Sequence, residues 1–280
     1  MPKRVCLLHL FCVFVFLGLA SRGYAQTESS SIDAQPSLVV RRAPKIRPGY
    51  EPFAVVELYT SENCVRCKDV DEITHTVWEE FRSFKKRVFL LGFHVDYLNS
   101  VQWKDPYAKS EYSERQRAYT RAIGRRRVIP GEVVVNGKHF SSADAPEKVA
   151  ETVELGLRDQ VKVKIGLAPQ YSPDHRSVNV KFTVEGIKHS GREFLDVHAV
   201  LVEDRLAVSV TDGLFAGKRF NHVNVVRGLE TSRASSKETS GSINVVFPED
   251  LNPAEASVIC FVQDPEGMAI LAAASFKISK

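Results

Sequence analysis

Apolar and polar positions follow two regimes along the chain. Between residues 53 and 158, compact apolar runs alternate with longer stretches whose apolar residues fall three and four apart. Beyond residue 160, short apolar runs succeed one another with polar turns between them. In the first regime, Phe53 to Tyr59 predicts a strand. Val70, Ile73, Val77, Phe81 and Phe84 recur at helical spacing and predict a helix from Cys64 to about Phe84, with Ser61 or Asn63 as N-cap. Val88 to Val95 is apolar almost throughout until His94, as a strand covered on both faces should be. A helix is expected from about Pro106 to Ile123, stopped by Gly124. Asn136-Gly137 between Glu132 to Val135 and Lys138 to Phe140 is a hairpin signal, and a last helix is expected over about 143–158.

Strand, helix, strand, helix, hairpin, helix is the order of a thioredoxin fold. In the second regime, runs at 161–167, 177–184, 197–203, 207–210, 223–226, 242–247, 256–262 and 269–276 predict strands without helices. Regular short strands of this kind point to an immunoglobulin-like sandwich. The expected fold class is therefore an α/β thioredoxin-like domain over 51–159 followed by an all-β immunoglobulin-like sandwich over 160–280.

The first 25 residues change the picture of compartment and charge. Met1-Pro2-Lys3-Arg4 is a basic start, Val5 to Ala20 is apolar except for His9, and Gly23-Tyr24-Ala25 has the small residues of a cleavage site. We read 1–25 as a signal peptide and expect a secreted or periplasmic protein with no stable membrane span after cleavage. Residues 26–50, polar and then basic and proline-containing, read as a disordered leader. Lys3, Arg4 and Arg22 leave with the signal and no acidic residue does, so the formal net charge falls from +4 to +1. Near-neutrality argues against nucleic acid as a partner. Cys6 and Cys12 leave as well, so Cys64, Cys67 and Cys260 remain.

Three cysteines in a chain of this size do not make a disulfide scaffold, and the close pair therefore reads as chemical. Cys64 and Cys67 stand where a strand gives way to a helix. Thiols at this spacing can close a disulfide, and a helix N-terminus favours a thiolate. Cys67 falls three residues before Val70 on the buried face, so Cys64 is the expected attacking thiol and Cys67 the resolving one. Arg66 would lower a neighbouring thiol pKa, and Arg125-Arg126-Arg127 would do the same or simply form a solvated cluster. His94 and Asp96, at the carboxyl end of a strand, are candidates for acid–base work, with Asp105 as a further polar residue near the loop. Alternatively, His94 would complete a Cu(I) site with Cys64 and Cys67. Trp103, Tyr97, Tyr107, Tyr112 and Tyr119 read as packing or as a recognition surface. His222, Asn224 and Arg227 form a polar segment that would face the first domain or satisfy a strand edge. Cys260, inside Val258 to Val262, reads as a buried free thiol.

Longer motifs carry a resemblance. Glu57-Leu58-Tyr59-Thr60-Ser61, His94-Val95-Asp96-Tyr97, Trp103 to Ala108, Arg115 to Tyr119, Val202-Glu203-Asp204, Ala216 to Arg219 and Asn224 to Arg227 resemble the secreted thioredoxin-like family catalogued as domain of unknown function 1223. The resemblance implies a thioredoxin-like domain with a β-rich extension. It further implies a cis proline at Pro130 facing the disulfide, with Ile129 beside it to hold substrate backbone. The expected activity is thiol–disulfide exchange on protein thiols or disulfides, with no cofactor and with a redox partner that the residues do not name.

Overall fold

The structure is a computed structural model that describes residues 50–278. The expected signal peptide and the leader up to residue 49 lie outside the described residues.

The first half runs β1 (Ala54–Thr60), α1 (Cys67–Ser83), β2 (Val88–His94), α2 (Ser110–Ala122), β3 (Glu132–Val135), β4 (His139–Ser141) and α3 (Pro146–Leu157). β1 alternates strictly. Ala54, Val56 and Leu58 enter a core with α1 and α3, while Val55 and Tyr59 enter a second core on the opposite face with Tyr112 and Tyr119 of α2. Two buried faces explain why the strand reads as continuously apolar. α1 begins at Cys67 rather than Cys64 and has no side-chain cap. The Ser61 hydroxyl accepts from the Asn63 amide at 3.2 Å and so holds 61–64 in a turn that competes with helix. Asn136 and Gly137 both take positive φ, 50° and 67°, as the hairpin between β3 and β4 requires.

The second half runs β5 (Lys164–Tyr171), β6 (Ser177–Glu185), β7 (Phe194–Glu203), β8 (Leu206–Ser209), β9 (Arg219–His222), β10 (Val225–Ser235), β11 (Ser240–Val246), β12 (Ala256–Gln263) and β13 (Ile270–Lys277). The pattern missed β9, whose Arg-Phe-Asn-His sequence buries only Phe220 and His222 and pairs solely with β8.

The expectation of a thioredoxin-like domain followed by an immunoglobulin-like sandwich is corrected by the sheet order. One eight-stranded mixed sheet runs β13-β12-β7-β10-β2-β1-β3-β4 and takes strands from both halves. β10 is parallel to β2 at Val225 opposite Gly92, and the Gly92 amide donates to Asn224 O at 2.9 Å. A side chain on Gly92 would stand 3.3 Å from that carbonyl oxygen, so glycine lets the strands meet. One face of this sheet carries a core that runs from Phe53 and Leu91 through Val200 to Phe261. The other face is covered by α1 and α3 in the first half. In the second it is covered by the three-stranded sheet β11-β6-β5, through Val180, Phe182, Leu201, Val258 and Cys260. The halves thus share their main sheet. Among the described residues no helix is long and apolar enough to cross a membrane.

Candidate functional site

Cys64 and Cys67 are joined in a disulfide, with Cα atoms 5.2 Å apart. Cys64 retains 7% of its exposure and Cys67 none, while Val65 between them is 72% exposed. Because α1 starts at Cys67, Cys64 lies in the preceding turn, where its carbonyl accepts from the Cys67 amide at 3.2 Å. The disulfide therefore stands at the positive end of α1, whose first residue is Cys67. Cys64 is more covered than a first helical turn would leave it, yet it is the member of the pair that solvent reaches.

Three segments hold this turn. Arg66 donates from its guanidinium to Ser142 O, in the loop between β4 and α3. The backbone at Gly131 packs against Val70 and Arg66, which lays the 129–131 loop beside the head of α1, and the Gln116 amide fixes that loop through Ile129 O at 2.9 Å. The implied cis proline is corrected here: no peptide bond among the described residues is cis, so Pro130 follows a trans bond. On the other side, the Asn63 side chain donates to Trp103 O at 2.7 Å.

Beneath the turn lies a buried acid–base network. His94 Nδ1 is 2.7 Å from Asp105 Oδ2, and that oxygen also accepts from the Glu62 amide at 3.0 Å, two residues before Cys64. Burial works against the Asp105 carboxylate, but His94 and the Glu62 and Tyr107 amides hold its pKa below the usual value. Glu62 Oε2 accepts from the Trp103 indole at 2.8 Å, and Glu62 Oε1 is 3.1 Å from His222 Nε2. His222 Nδ1 faces Asp71 Oδ2 of α1 at 3.4 Å. Burial opposes the charged His222 ring, but Asp71 and Glu62 more than reverse this and raise its pKa to about 9. The rings of His94 and His222 meet edge to face, with centroids 4.6 Å apart. Arg227 sits over Tyr107, which packs on His94, and is itself paired with Glu203 and Asp250.

Of the residues expected from sequence, Cys64, Cys67 and Arg66 share this turn, Ile129 lies in the loop next to Gly131, and His94 and Asp105 connect to the turn through the Glu62 amide. Asp96 does not, since it is turned to α2 and accepts from the Ser113 hydroxyl at 2.5 Å. Arg125 pairs with Glu132 at 2.5 Å, and Arg126 and Arg127 are exposed. Tyr112 and Tyr119 are core residues, whereas Trp103 and Tyr107 belong to the network. Glu62, Asp71 and the ionic role of His222 escaped the sequence reading. Glu62 adjoined the cysteine motif, but its partner lies 160 residues away. Among the described residues no group of three or more His, Cys, Asp and Glu side chains is placed to hold a metal ion.

A family model described as "Protein of unknown function (DUF1223)" matches residues 55–263. The chain belongs to this family. The DUF1223 match includes both cysteines and the whole network from Glu62 to His222. Among solved structures, protein AGR_C_4864 from Agrobacterium tumefaciens is 21% identical, with 82% of this chain and 96% of that chain covered and a TM-score of 0.58. HBP35 of Porphyromonas gingivalis is 18% identical, with 84% and 77% covered and a TM-score of 0.64. At these identities the likeness is one of fold. A search of curated proteins found no match.

Proposed function

We propose that this DUF1223 protein is a thiol–disulfide oxidoreductase working through Cys64 and Cys67 in a secreted or periplasmic setting. The observation that carries the reading is a disulfide at the head of α1, its first residue less completely buried than its second, on a segment whose Glu62, two residues earlier, is bonded into a buried ionisable network. In the reduced state Cys64 attacks a substrate disulfide as thiolate, forming a mixed disulfide and releasing one substrate thiolate. Cys67, once deprotonated, attacks the Cys64 sulfur, which restores the intramolecular disulfide and releases the second substrate thiolate. The substrate gains two electrons and the dithiol loses them; run backwards, the same steps oxidise a dithiol.

The network supports this because each turnover moves protons on and off buried sulfur. His94, oriented by the Asp105 carboxylate, is an acid–base pair of the kind that such transfers need. The 129–131 loop and the exposed Val65 give the substrate chain a surface beside Cys64.

The test is site-resolved alkylation of the reduced protein across pH, read by mass spectrometry. Cys64 is expected to react first, with a pKa below the free-cysteine value of about 8.5. Equal reactivity of Cys64 and Cys67 at that ordinary value, or a disulfide that mild dithiol cannot open in the folded protein, rejects the proposal. Buried Cys260, whose thiol burial pushes up to about 12, serves as the internal unreactive reference.

A further inference from the structure

On the α1 side of the sheet lies a pocket of about 380 Å³, lined in part by His94 and His222 of the network. Its apolar wall is made by Leu58, Leu90, Phe220 and Val223. Its floor includes Thr60, 98% buried by its 2% exposure, and Asp71. Thr60 Oγ1 and Asp71 Oδ1 are both buried and have no hydrogen-bond partner. A buried polar atom without a partner costs on the order of 1–3 kcal/mol; the Asp71 oxygen only accepts, while the Thr60 hydroxyl can donate or accept, so the pair calls for a polar group that donates to Asp71.

The charges around the pocket specify the donor. At the floor, Glu62 and Asp71 share the single positive charge of His222, which leaves an excess of negative charge beside the unpartnered Asp71 oxygen and Thr60 hydroxyl. At the rim, Lys68 and Arg219 are exposed, and neither is ion-paired among the described residues. A free anion would meet acceptors at the floor, and a metal ion would lack a ligand set. A molecule with a cationic donor at one end, an anionic group at the other and an apolar body between them matches all three zones. We propose that this pocket binds a free apolar α-amino acid, with its ammonium toward Thr60 and Asp71, its carboxylate toward Lys68 and Arg219, and its side chain on Leu58, Leu90 and Phe220. The volume falls in the range of small-ligand sites, about 300–1,000 Å³. The pocket borders the network through His94 and His222, but the cysteines do not line it, and binding is read without turnover, so its failure is distinguishable from failure of the oxidoreductase reading.

The experiment is a titration of the oxidised, nitrogen-15-labelled protein with L-leucine and L-phenylalanine, followed by amide chemical shifts. Saturable shifts are expected at residues 58–60, 71, 90–94 and 219–223. N-acetyl-L-leucine, which lacks the ammonium, and L-leucinamide, which lacks the carboxylate, should each bind about tenfold or more weakly. Thr60→Val and Asp71→Asn should weaken L-leucine by a similar factor. Thr60→Val is the cleaner variant, because it leaves the Asp71–His222 pair intact and its fold can be checked from the undisturbed spectrum. Three results would overturn the proposal: no saturable shift with any of the common free amino acids, unaltered binding in Thr60→Val, or equal binding of a neutral polyol such as glucose. The first and third would mean that water or nothing specific fills the pocket, and the second that the amino acid binds elsewhere.

Discussion

His222 is the residue on which the site turns, because it ties the approach to Cys64, through Glu62, to helix α1, through Asp71. Its pKa in the folded protein, about 9, lies above the value of about 6.5 expected in the unfolded chain. The stabilisation is therefore complete below about pH 6.5 and is lost as pH rises through 9. The difference corresponds to about 3 kcal/mol at low pH. His222→Gln should lower the unfolding free energy at pH 6 by roughly that amount and have little effect near pH 10. Denaturant titrations of both proteins at the two pH values check this; a pH-independent loss would show that the ring matters only as packing. From sequence, His222 was visible as part of a polar segment. Its charge state was not, because the two carboxylates that set it lie 151 and 160 positions away. Cys64 and Cys67 were legible because their spacing and their place at a strand–helix junction are local.

Among the elements, the β3–β4 hairpin shows how a local signal acquires a long-range duty. Asn136-Gly137 predicts the turn, and the turn forms, but Asn136 also reaches into the core. Its side chain accepts from the Val55 amide at 2.8 Å and donates to Gly156 O at 3.0 Å. Its carbonyl accepts from the Ile270 amide at 2.9 Å, which docks the β12–β13 connection onto the hairpin. Gly137 sits so close that an added Cβ would stand 1.9 Å from Met268 O, and its φ is +67°. Gly137→Ala should cost on the order of 3 kcal/mol or more, since backbone must move. Gly124→Ala has a similar φ of +70° but open space around it, and should cost only about 1–2 kcal/mol. Urea midpoints of the two variants test the difference; equal losses would mean that the close approach is of no consequence. Helix α1 is the instructive error at this scale. Its periodicity predicts the helix, but the helix starts at Cys67, three residues beyond Cys64, because a serine hydroxyl makes a competing turn.

Across the whole molecule, a buried polar cluster fastens the halves together. Arg115 Nε pairs with Glu57 at 2.7 Å, its NH1 donates to Gln263 of β12 at 3.1 Å, and Gln263 in turn donates to the Tyr119 hydroxyl at 2.9 Å. Removing one side would leave a buried charge without its partners, a loss of about 3–5 kcal/mol. With a shared sheet as well, the two halves should unfold in one transition. Trp78 and Trp103, the only tryptophans, report on the first half, while far-ultraviolet dichroism also follows the strands of the second. Coincident urea curves are expected from the two probes, and separated curves would contradict the shared sheet. The order of strands and helices other than β9, the cysteine motif and the two-faced burial of β2 were set by sequence alone, because alternation and helical periodicity are properties of each segment by itself. Which strands lie side by side was decided only in the tertiary structure. Backbone hydrogen bonds are the same for every residue and carry no address, so the apolar edge of β2 accepted β10 across more than 130 residues. That pairing merged two expected domains into one sheet and brought His222 to the cysteines' network.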